Sequence, residues 1–365
     1  MAADAVRGTV AAALAAEQGG DLPGALTILQ GLADTGDKAA QYNLGRFYDH
    51  GIGMAADPAT AAAWYRKAAD QGYIYAKGDL GVLYMQGRGV AKDPVQGIAL
   101  LEEAAAGDSA TAQADLCVVY EEGVGVPKDV GKAVPLCRKA AARRVPVAEY
   151  IMGGLSQYSG VNVVKDYRSA LAWYLAAASS GYGPAQNQLG LLLENGWGVA
   201  ADPGAAVGWW RLAAAQNEPH AEFNLAEAYG KGSGVPLDLG QAMSWYRKAA
   251  DQGLFGAQER LALAYETGVG EKKDLAEAFG WWEKSAQRGD AVAQVKLAAD
   301  YMAGTGVKPD DIRALMWLDL AAAHQPPPPI ALLTQAAAMR QALVARMTPA
   351  AVAEADSQAR AWKPN

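Results

Sequence analysis

A short motif that returns at a fixed interval constrains the fold of this chain more than any other feature. The motif is Gly-x-Gly followed a few residues later by Asp, as in GRGVAKDP from Gly87. It begins at Gly51, Gly87, Gly123, Gly196, Gly232, Gly268 and Gly304. The intervals are 36 residues, except for one of 73 that spans two units and one inserted residue. A period of this size predicts an array of repeated supersecondary units.

Alignment of the units reveals columns with helical spacing. Each unit opens with Ala, has a small residue five positions later and mostly has Tyr three positions after that, which predicts a first helix. The Asp of the motif, followed by Pro in three units, predicts the N-cap of a second helix. Its carboxylate can accept hydrogen bonds from the first N–H groups of the helix, which have no acceptor within the helix. The second helices carry a Trp column, whose strict period predicts a stacked core. Its members are Trp64, Trp173, Trp209, Trp245, Trp281 and Trp317.

The Gly-x-Gly motif also raises the question of a phosphate-binding loop. Such a loop needs a preceding strand and free N–H groups at the start of the next helix. Here no strand is predicted before the glycines, and an Asp N-cap takes the place of the anion. We therefore expect the glycines to form turns with positive φ between paired helices.

These columns together resemble the Sel-1-like repeat, a relative of the tetratricopeptide repeat. Residues 39–72, AAQYNLGRFYDHGIGMAADPATAAAWYRKAADQG, show the pattern most completely. The resemblance implies an all-α fold, a right-handed α/α superhelix of paired helices that acts as an adaptor or scaffold, often in bacteria. It implies no catalytic residues.

The predicted organisation has three parts. Residues 1–38 are a degenerate N-terminal helix pair, residues 39–324 are eight repeats, and residues 325–365 are a Pro-rich break with two capping helices. The caps are expected because the end repeats of a solenoid otherwise expose their stacking faces. The fourth repeat lacks the Gly-x-Gly and holds the inserted residue; drift at a tolerant loop is favoured over a special surface.

Composition and cysteine usage limit the possible functions. The net charge of -7 and the pI near 5.1 argue against nucleic-acid binding. No apolar run is long enough for a membrane span. Cys117 occupies a small-residue position and Cys137 a Tyr position, so both are expected to be buried and reduced.

The sequence offers no set of residues for catalysis or metal binding. His50, His220 and His324 lie in different units, too far apart to share a metal, and the motifs HExxH, paired CxxC and GxSxG do not occur. We therefore predict no cofactor, no metal and no enzymatic activity.

The candidate site is the concave groove that the first helices are expected to line. Positions three before and one, four and five after the small residue should face this groove, and their residues vary among units. An aromatic residue beside carboxylates there suits a peptide or protein with basic residues. The candidate residues are Tyr42, Arg46, Asp49, His50, Glu121, Glu122, Tyr150, Tyr158, Glu194, Asn195, Phe223, Glu227, Lys231, Glu259 and Glu266.

We thus predict a non-catalytic adaptor or scaffold that binds protein or peptide partners, with a monomer favoured. The alternative is a factor associated with the envelope or with polysaccharides of the cell wall, acting as an enzyme or as a small-molecule sensor. The N-terminus lacks a strong secretory h-region, so the chain as written is expected in the cytoplasm. A periplasmic or exported location is the alternative if a signal peptide was removed.

Overall fold

The computed structural model describes residues 8–157 and 166–364, and their regular secondary structure is entirely helical, with 20 helices. The first ten are α1 (Val10–Gln18), α2 (Leu22–Asp34), α3 (Lys38–His50), α4 (Pro58–Asp70), α5 (Ile74–Gln86), α6 (Pro94–Ala106), α7 (Ala110–Glu122), α8 (Val130–Ala142), α9 (Pro146–Gln157) and α10 (Tyr167–Ser179). The others are α11 (Gly183–Asn195), α12 (Pro203–Ala214), α13 (Pro219–Lys231), α14 (Leu239–Asp251), α15 (Phe255–Thr267), α16 (Leu275–Gln287), α17 (Ala291–Ala303), α18 (Asp311–Ala322), α19 (Ile330–Val344) and α20 (Pro349–Ala361). The all-α prediction is confirmed.

The chain forms two compact units, Met1–Tyr182 and Gly183–Asn365. In the first unit, each odd-numbered helix packs on the helix that follows it, and the second helix of each pair packs on the first helix of the next pair. The second unit repeats this arrangement from α11 to α18, and α19 and α20 pack on α18. Within each unit, the stacked helix pairs form the predicted helical-repeat solenoid.

The Gly-x-Gly motifs are turns, as predicted. Gly87 ends α5 with φ 70°, and Gly89 also has φ 70°. A Cβ on Gly89 would overlap the carbonyl group of Pro58 in the preceding repeat, so this position also needs the smallest residue. The Asp that follows each turn caps the second helix; Asp93, for example, accepts a hydrogen bond from the N–H of Gln96 at 3.0 Å. The N-caps are Asp57, Asp93, Asp129, Asp166, Asp202, Asp238, Asp274 and Asp310.

A small residue on the first helix faces a large one on the second helix of the same repeat. A Cβ on Gly45 would lie 2.6 Å from the Tyr65 ring, so glycine makes room for the ring. Gly153 with Tyr174, and Gly190 with Trp210, have the same relationship. These three rings are at most 1% exposed, which means that this pairing forms the centre of the first, fourth and fifth repeats.

The prediction that the Trp column forms a stacked core is only partly correct. Trp281 and Trp317 are buried, but Trp64, Trp173, Trp209 and Trp245 are half-buried. The most deeply buried ring belongs to the position one residue later, because that position faces the small residue of the first helix. The four half-buried Trp residues pack at the edge of the core.

The prediction that the cysteines are reduced is wrong. Cys117 and Cys137 form a disulfide with their Cα atoms 5.1 Å apart, and both residues are fully buried, as expected. Cys117 occupies the position of Gly45, and Cys137 occupies the position of Tyr65. Since these two positions also face each other in the first, fourth and fifth repeats, the spacing of the array brings the thiols within bonding distance.

Buried glutamines connect neighbouring repeats. The Gln41 Nε2 donates to the carbonyl oxygen of Ala33 at 3.2 Å, and Gln113, Gln258 and Gln294 bond in the same way to the residue eight positions earlier. In the first repeat the Gln41 Oε1 accepts from the Gln71 Nε2 at 2.8 Å. Each amide thus satisfies a carbonyl at the end of the preceding helix, where no helical donor remains.

Candidate functional site

The first predicted residues lie on α3 and have different surroundings. Tyr42 is half-buried, and Arg46 pairs with Glu17 at 3.6 Å. Asp49 is buried, and its Oδ1 lies 2.5 Å from a guanidinium nitrogen of Arg88 in the next repeat. His50 is exposed in the last turn of the helix. Asp49 therefore serves mainly to join two repeats.

Tyr42 belongs to a cluster of aromatic rings. Its ring centroid lies 5.2 Å from that of Tyr73 and 6.2 Å from that of Tyr75, at the start of α5. Tyr73 and Tyr75 are 5.6 Å apart, with their rings edge to face. The Tyr75 side chain is 45% exposed, so the cluster opens to solvent. Tyr75 escaped the sequence analysis because it precedes the positions assigned to the groove.

Asp79 and Asp115 extend this cluster with negative charge. Asp79 lies beside the Tyr42 hydroxyl, and burial is the main reason that the pKa values of both groups are raised. Burial and the charge of Asp79 raise the pKa of Asp115 to about 6. Among the described residues, Asp115 has no hydrogen-bond or ion-pair partner. Tyr42, Tyr73, Tyr75, Asp79 and Asp115 together are called the acidic–aromatic patch below.

The sequence analysis missed both aspartates, although a signal was present. They lie two positions before the small residue, a position that was not assigned to the groove. In the first unit this column reads Asn43, Asp79, Asp115 and Ile151. A column that is polar in three of four repeats, next to an apolar column, indicates a row at the edge of the core. Asn43 of this row is buried, and Asp79 and Asp115 are half-buried.

The remaining candidates of the first unit are separate from the patch. Glu121 pairs with Lys128 of the same repeat at 2.8 Å, and Glu122 is exposed. The Tyr150 ring contacts those of Tyr174 and Tyr182, with 5.7 and 5.5 Å between centroids, and meets the Tyr182 ring edge to face. Tyr158 lies outside the described residues.

Glu227 is the centre of a polar network in the second unit. Its carboxylate accepts from the Tyr246 hydroxyl and pairs with Lys231 at 2.5 Å and with Arg260 of the next repeat at 3.0 Å. Burial opposes ionisation of Glu227, but the hydrogen bonds from Lys231 and Tyr246 and the nearby cations prevail, so its pKa is lowered. Glu227 and Lys231 therefore neutralise each other within a contact between repeats.

Other candidates of the second unit also bond to neighbouring groups. Glu266 accepts from the Trp282 indole N–H at 3.0 Å and pairs with Lys296 of the next repeat at 2.8 Å. Glu194 accepts a weak hydrogen bond from Ser233 at 3.5 Å. Two further candidates have contacts within their own repeats. The Asn195 side-chain amide donates to the carbonyl of Leu191 at 2.9 Å, and the Phe223 ring meets the Tyr246 ring edge to face, with 5.6 Å between centroids.

Glu259 differs from these residues, because it has no ion pair or hydrogen bond to any other described side chain. The structure thus brings most predicted carboxylates of the second unit into contacts between or within repeats. It leaves unneutralised carboxylates beside exposed rings in the acidic–aromatic patch of the first unit.

The described part of the chain contains no group of three or more His, Cys, Asp or Glu side chains arranged to hold a metal ion. None of its helices is both long enough and apolar enough to cross a membrane.

Comparison with known proteins identifies a family. The model of the Sel1 repeat matches eight consecutive segments: residues 38–73, 74–109, 110–144, 146–182, 183–218, 219–254, 256–290 and 291–325. No curated protein matches the chain.

Two solved structures are similar over most of the chain. A Sel1 repeat protein from Oxalobacter formigenes is 32% identical, with a TM-score of 0.59, over 86% of this chain and 91% of that one. A protective antigen present in uropathogenic Escherichia coli strains displays the same repeat fold. It is 27% identical, with a TM-score of 0.54, over 97% of this chain and 83% of that one.

Proposed function

The chain belongs to the Sel1 repeat family, and we propose that it is a non-catalytic adaptor that binds a polypeptide with basic residues through the first helices of its first unit. One observation carries this proposal. Asp115 is an ionisable carboxyl group with no partner among the described residues, and it lies on the face that also carries Asp79 and Tyr42. A Lys or Arg side chain from a partner would neutralise this charge.

The exposed rings beside the carboxylates favour a polypeptide over a simple cation. Tyr75 and Tyr73 offer apolar area and π faces next to the charges, and both attract guanidinium and ammonium groups. A stacked repeat array also holds its surface in place before binding, which reduces the conformational entropy that is lost when an extended partner is ordered.

The test is an affinity capture from the native host with two matched variants, analysed by mass spectrometry. Asp79→Asn with Asp115→Asn removes both charges and keeps the size of the side chains. Glu354→Gln, on the exposed surface of α20, is the control. A partner that is captured by the wild type and the control and lost by the double variant supports the proposal. A partner that all three proteins capture equally refutes the assignment to this patch.

The disulfide bears on the compartment. Disulfides persist in oxidising environments and are rare where glutathione and thioredoxin keep thiols reduced. Cys117 and Cys137 are bonded in this chain, so we favour an oxidising compartment, such as a bacterial periplasm, over the cytoplasm that the sequence suggested. Trapping free thiols with an alkylating agent in intact cells tests this: protection of both cysteines supports it, and their quantitative labelling contradicts it.

A further inference from the structure

A cavity of about 500 Å³ lies between the second helices of the second and third repeats. Ala105 and Ala106 of α6, Leu116 and Tyr120 of α7, and Leu136 of α8 form its apolar walls. Lys132 and Lys139 of α8 and Glu102 of α6 stand at its edge, and all three are exposed. The Glu102 carboxylate accepts from the Tyr120 hydroxyl at 2.8 Å. The cavity therefore combines an apolar interior with a charged rim of two lysines and one glutamate, and it uses no residue of the acidic–aromatic patch.

The chain itself shows what fills this position in other repeats. Leu136 occupies the Trp column, which holds an indole in six of the eight repeats. In three of them a lysine three residues later places its ammonium over the indole: Lys67 over Trp64 at 3.7 Å, and Lys248 over Trp245 and Lys284 over Trp281 at 3.8 Å. Lys139 has the same offset from Leu136, but the ring is absent.

The seventh repeat gives a direct comparison. Its corresponding cavity is lined by Gln258, Trp281 and Lys284, the counterparts of Gln113, Leu136 and Lys139. Leu261 and Tyr265, the counterparts of Leu116 and Tyr120, do not line it, and Trp281 is buried in the same core cluster as Leu261. Leu136 is shorter than Trp, so in the third repeat the cavity extends inward to Leu116 and Tyr120.

Two residues that line the cavity, Gln113 and Gly131, carry a hydrogen-bond acceptor that a ligand could use. Gln113 is 2% exposed, and its Oε1 has no donor among the described residues. In the first and fifth repeats a glutamine thirty residues later supplies a donor, but the third repeat has Arg143 there, which bonds to Asp108 at 2.7 Å. The seventh repeat likewise has Arg288 at that position, and the Gln258 Oε1 also has no donor among the described residues. Pro135 lies inside α8 and lacks an N–H, so the carbonyl of Gly131 cannot receive its helical hydrogen bond.

We propose that this cavity binds an aromatic side chain of a partner polypeptide, with tryptophan preferred. The ring would occupy the place that the indole has in six other repeats, with the Lys139 ammonium over its face. The indole N–H can donate to an acceptor at this site, whereas phenylalanine has no donor. Tryptophan is also the side chain that most often anchors a protein interface in an apolar pocket.

The experiment titrates the full chain with a blocked tripeptide, acetyl-Ala-Trp-Ala-amide, and follows the leucine methyl signals by NMR. Two matched peptides carry Phe or Leu in place of Trp. We expect saturable shifts of the Leu116 and Leu136 methyl signals, with a dissociation constant on the order of 1 mM for so small a probe. The Trp peptide should bind at least about threefold more tightly than the Leu peptide.

Three variants locate the binding. Leu136→Trp fills the cavity from within and should weaken binding by more than about tenfold. Lys139→Ala removes the exposed cation without changing the core and should weaken it by about threefold. Leu100→Trp makes the same substitution in the second repeat, where Glu103 stands at the lysine position, and should leave the affinity unchanged.

Absence of saturable shifts in the wild type overturns the proposal. So does an unchanged affinity in both folded Leu136→Trp and Lys139→Ala proteins. Because the probe is a defined peptide, this result does not depend on the partner captured through the acidic–aromatic patch, and either proposal can fail while the other stands.

Discussion

Cys117 and Cys137 form a disulfide at the two positions of the third repeat that correspond to Gly45 and Tyr65 of the first repeat. In the first repeat, Gly45 lies directly against the Tyr65 ring. The third repeat thus replaces a contact between a small residue and a ring by a disulfide. The bond closes a loop with a sequence separation of 20 residues, for which the chain-entropy model gives a stabilisation of about 3 kcal/mol.

We predict that reduction lowers the free energy of unfolding and speeds amide hydrogen exchange, most strongly in α7 and α8. The double variant Cys117→Gly with Cys137→Tyr restores the pair of the first repeat. It should remain folded and be insensitive to reductant. Equal exchange rates in α7 and α8 with and without reductant would show that the bond contributes nothing to stability.

A second prediction concerns Glu149, which occupies the position that buried glutamines hold in other repeats. Glu149 is 0% exposed, neither carboxylate oxygen has a hydrogen-bond donor among the described residues, and its charge partner, Arg144 at 3.3 Å, is 67% exposed. Glu149→Gln should stabilise the protein by about 1–2 kcal/mol at pH 7, because it removes a buried charge and restores a donor for the preceding helix.

The pH dependence of this gain has a definite sign. Burial raises the pKa of Glu149 above its ordinary value of 4.5, although Arg144 opposes the shift. As the pH rises through 4.5 the unfolded chain ionises first, so the wild type loses stability relative to the variant. Unfolding in urea at several pH values should show the gain disappearing below about pH 4.5. A gain of the same size at pH 4 and pH 7 would refute this explanation.

The third prediction separates residues that join repeats from residues that are free to bind. Glu227→Ala removes the contacts with Tyr246, Lys231 and Arg260 and should cost about 1–2 kcal/mol of stability. Glu259→Ala, on the next first helix, should cost less than about 0.5 kcal/mol, because the described structure gives this residue no partner. Thermal unfolding of the two variants measures this difference; equal losses would contradict the assigned network.

The periodic features of the chain were predictable from its sequence, because each has a local physical cause. The Gly87 turn and the Asp93 cap depend on φ and on helix N–H groups, and a fixed period repeats both. The side-chain partners that join one repeat to the next were not predictable from the sequence. The partner of Asp49 is Arg88, in a turn whose position relative to α3 follows only from the stacked structure.

The candidate site shows the same division. Tyr42 was predicted from its position on the helix, whereas Asp115 was missed because its column was not assigned to the groove. The burial of Asp115 and the nearby charge of Asp79 depend on the packing of neighbouring repeats and could not be predicted from the sequence. The disulfide was missed for a related reason: each cysteine matched a core column, but only the packing of α7 on α8 shows that those columns face each other.

A fourth prediction follows from the pKa of Asp115, which burial and Asp79 raise to about 6. Lowering the pH from 7 to 5 protonates this carboxyl group and removes a negative charge from the acidic–aromatic patch. Binding of a basic partner should therefore weaken about three- to tenfold over this range, and by less in the Asp115→Asn variant. Titrations of the captured partner at constant ionic strength check this; a pH effect of equal size in the variant would point to another group.

The most direct test of the proposed adaptor function is site-specific photo-crosslinking to the partner. A photoreactive residue is placed at Gln86 or Glu122, which are exposed at the ends of the first helices α5 and α7, and, as the control, at Glu354 on α20. The account predicts partner adducts from positions 86 and 122 and none from position 354. Adducts from position 354 alone would contradict the claim that the first helices of the first unit bind the partner.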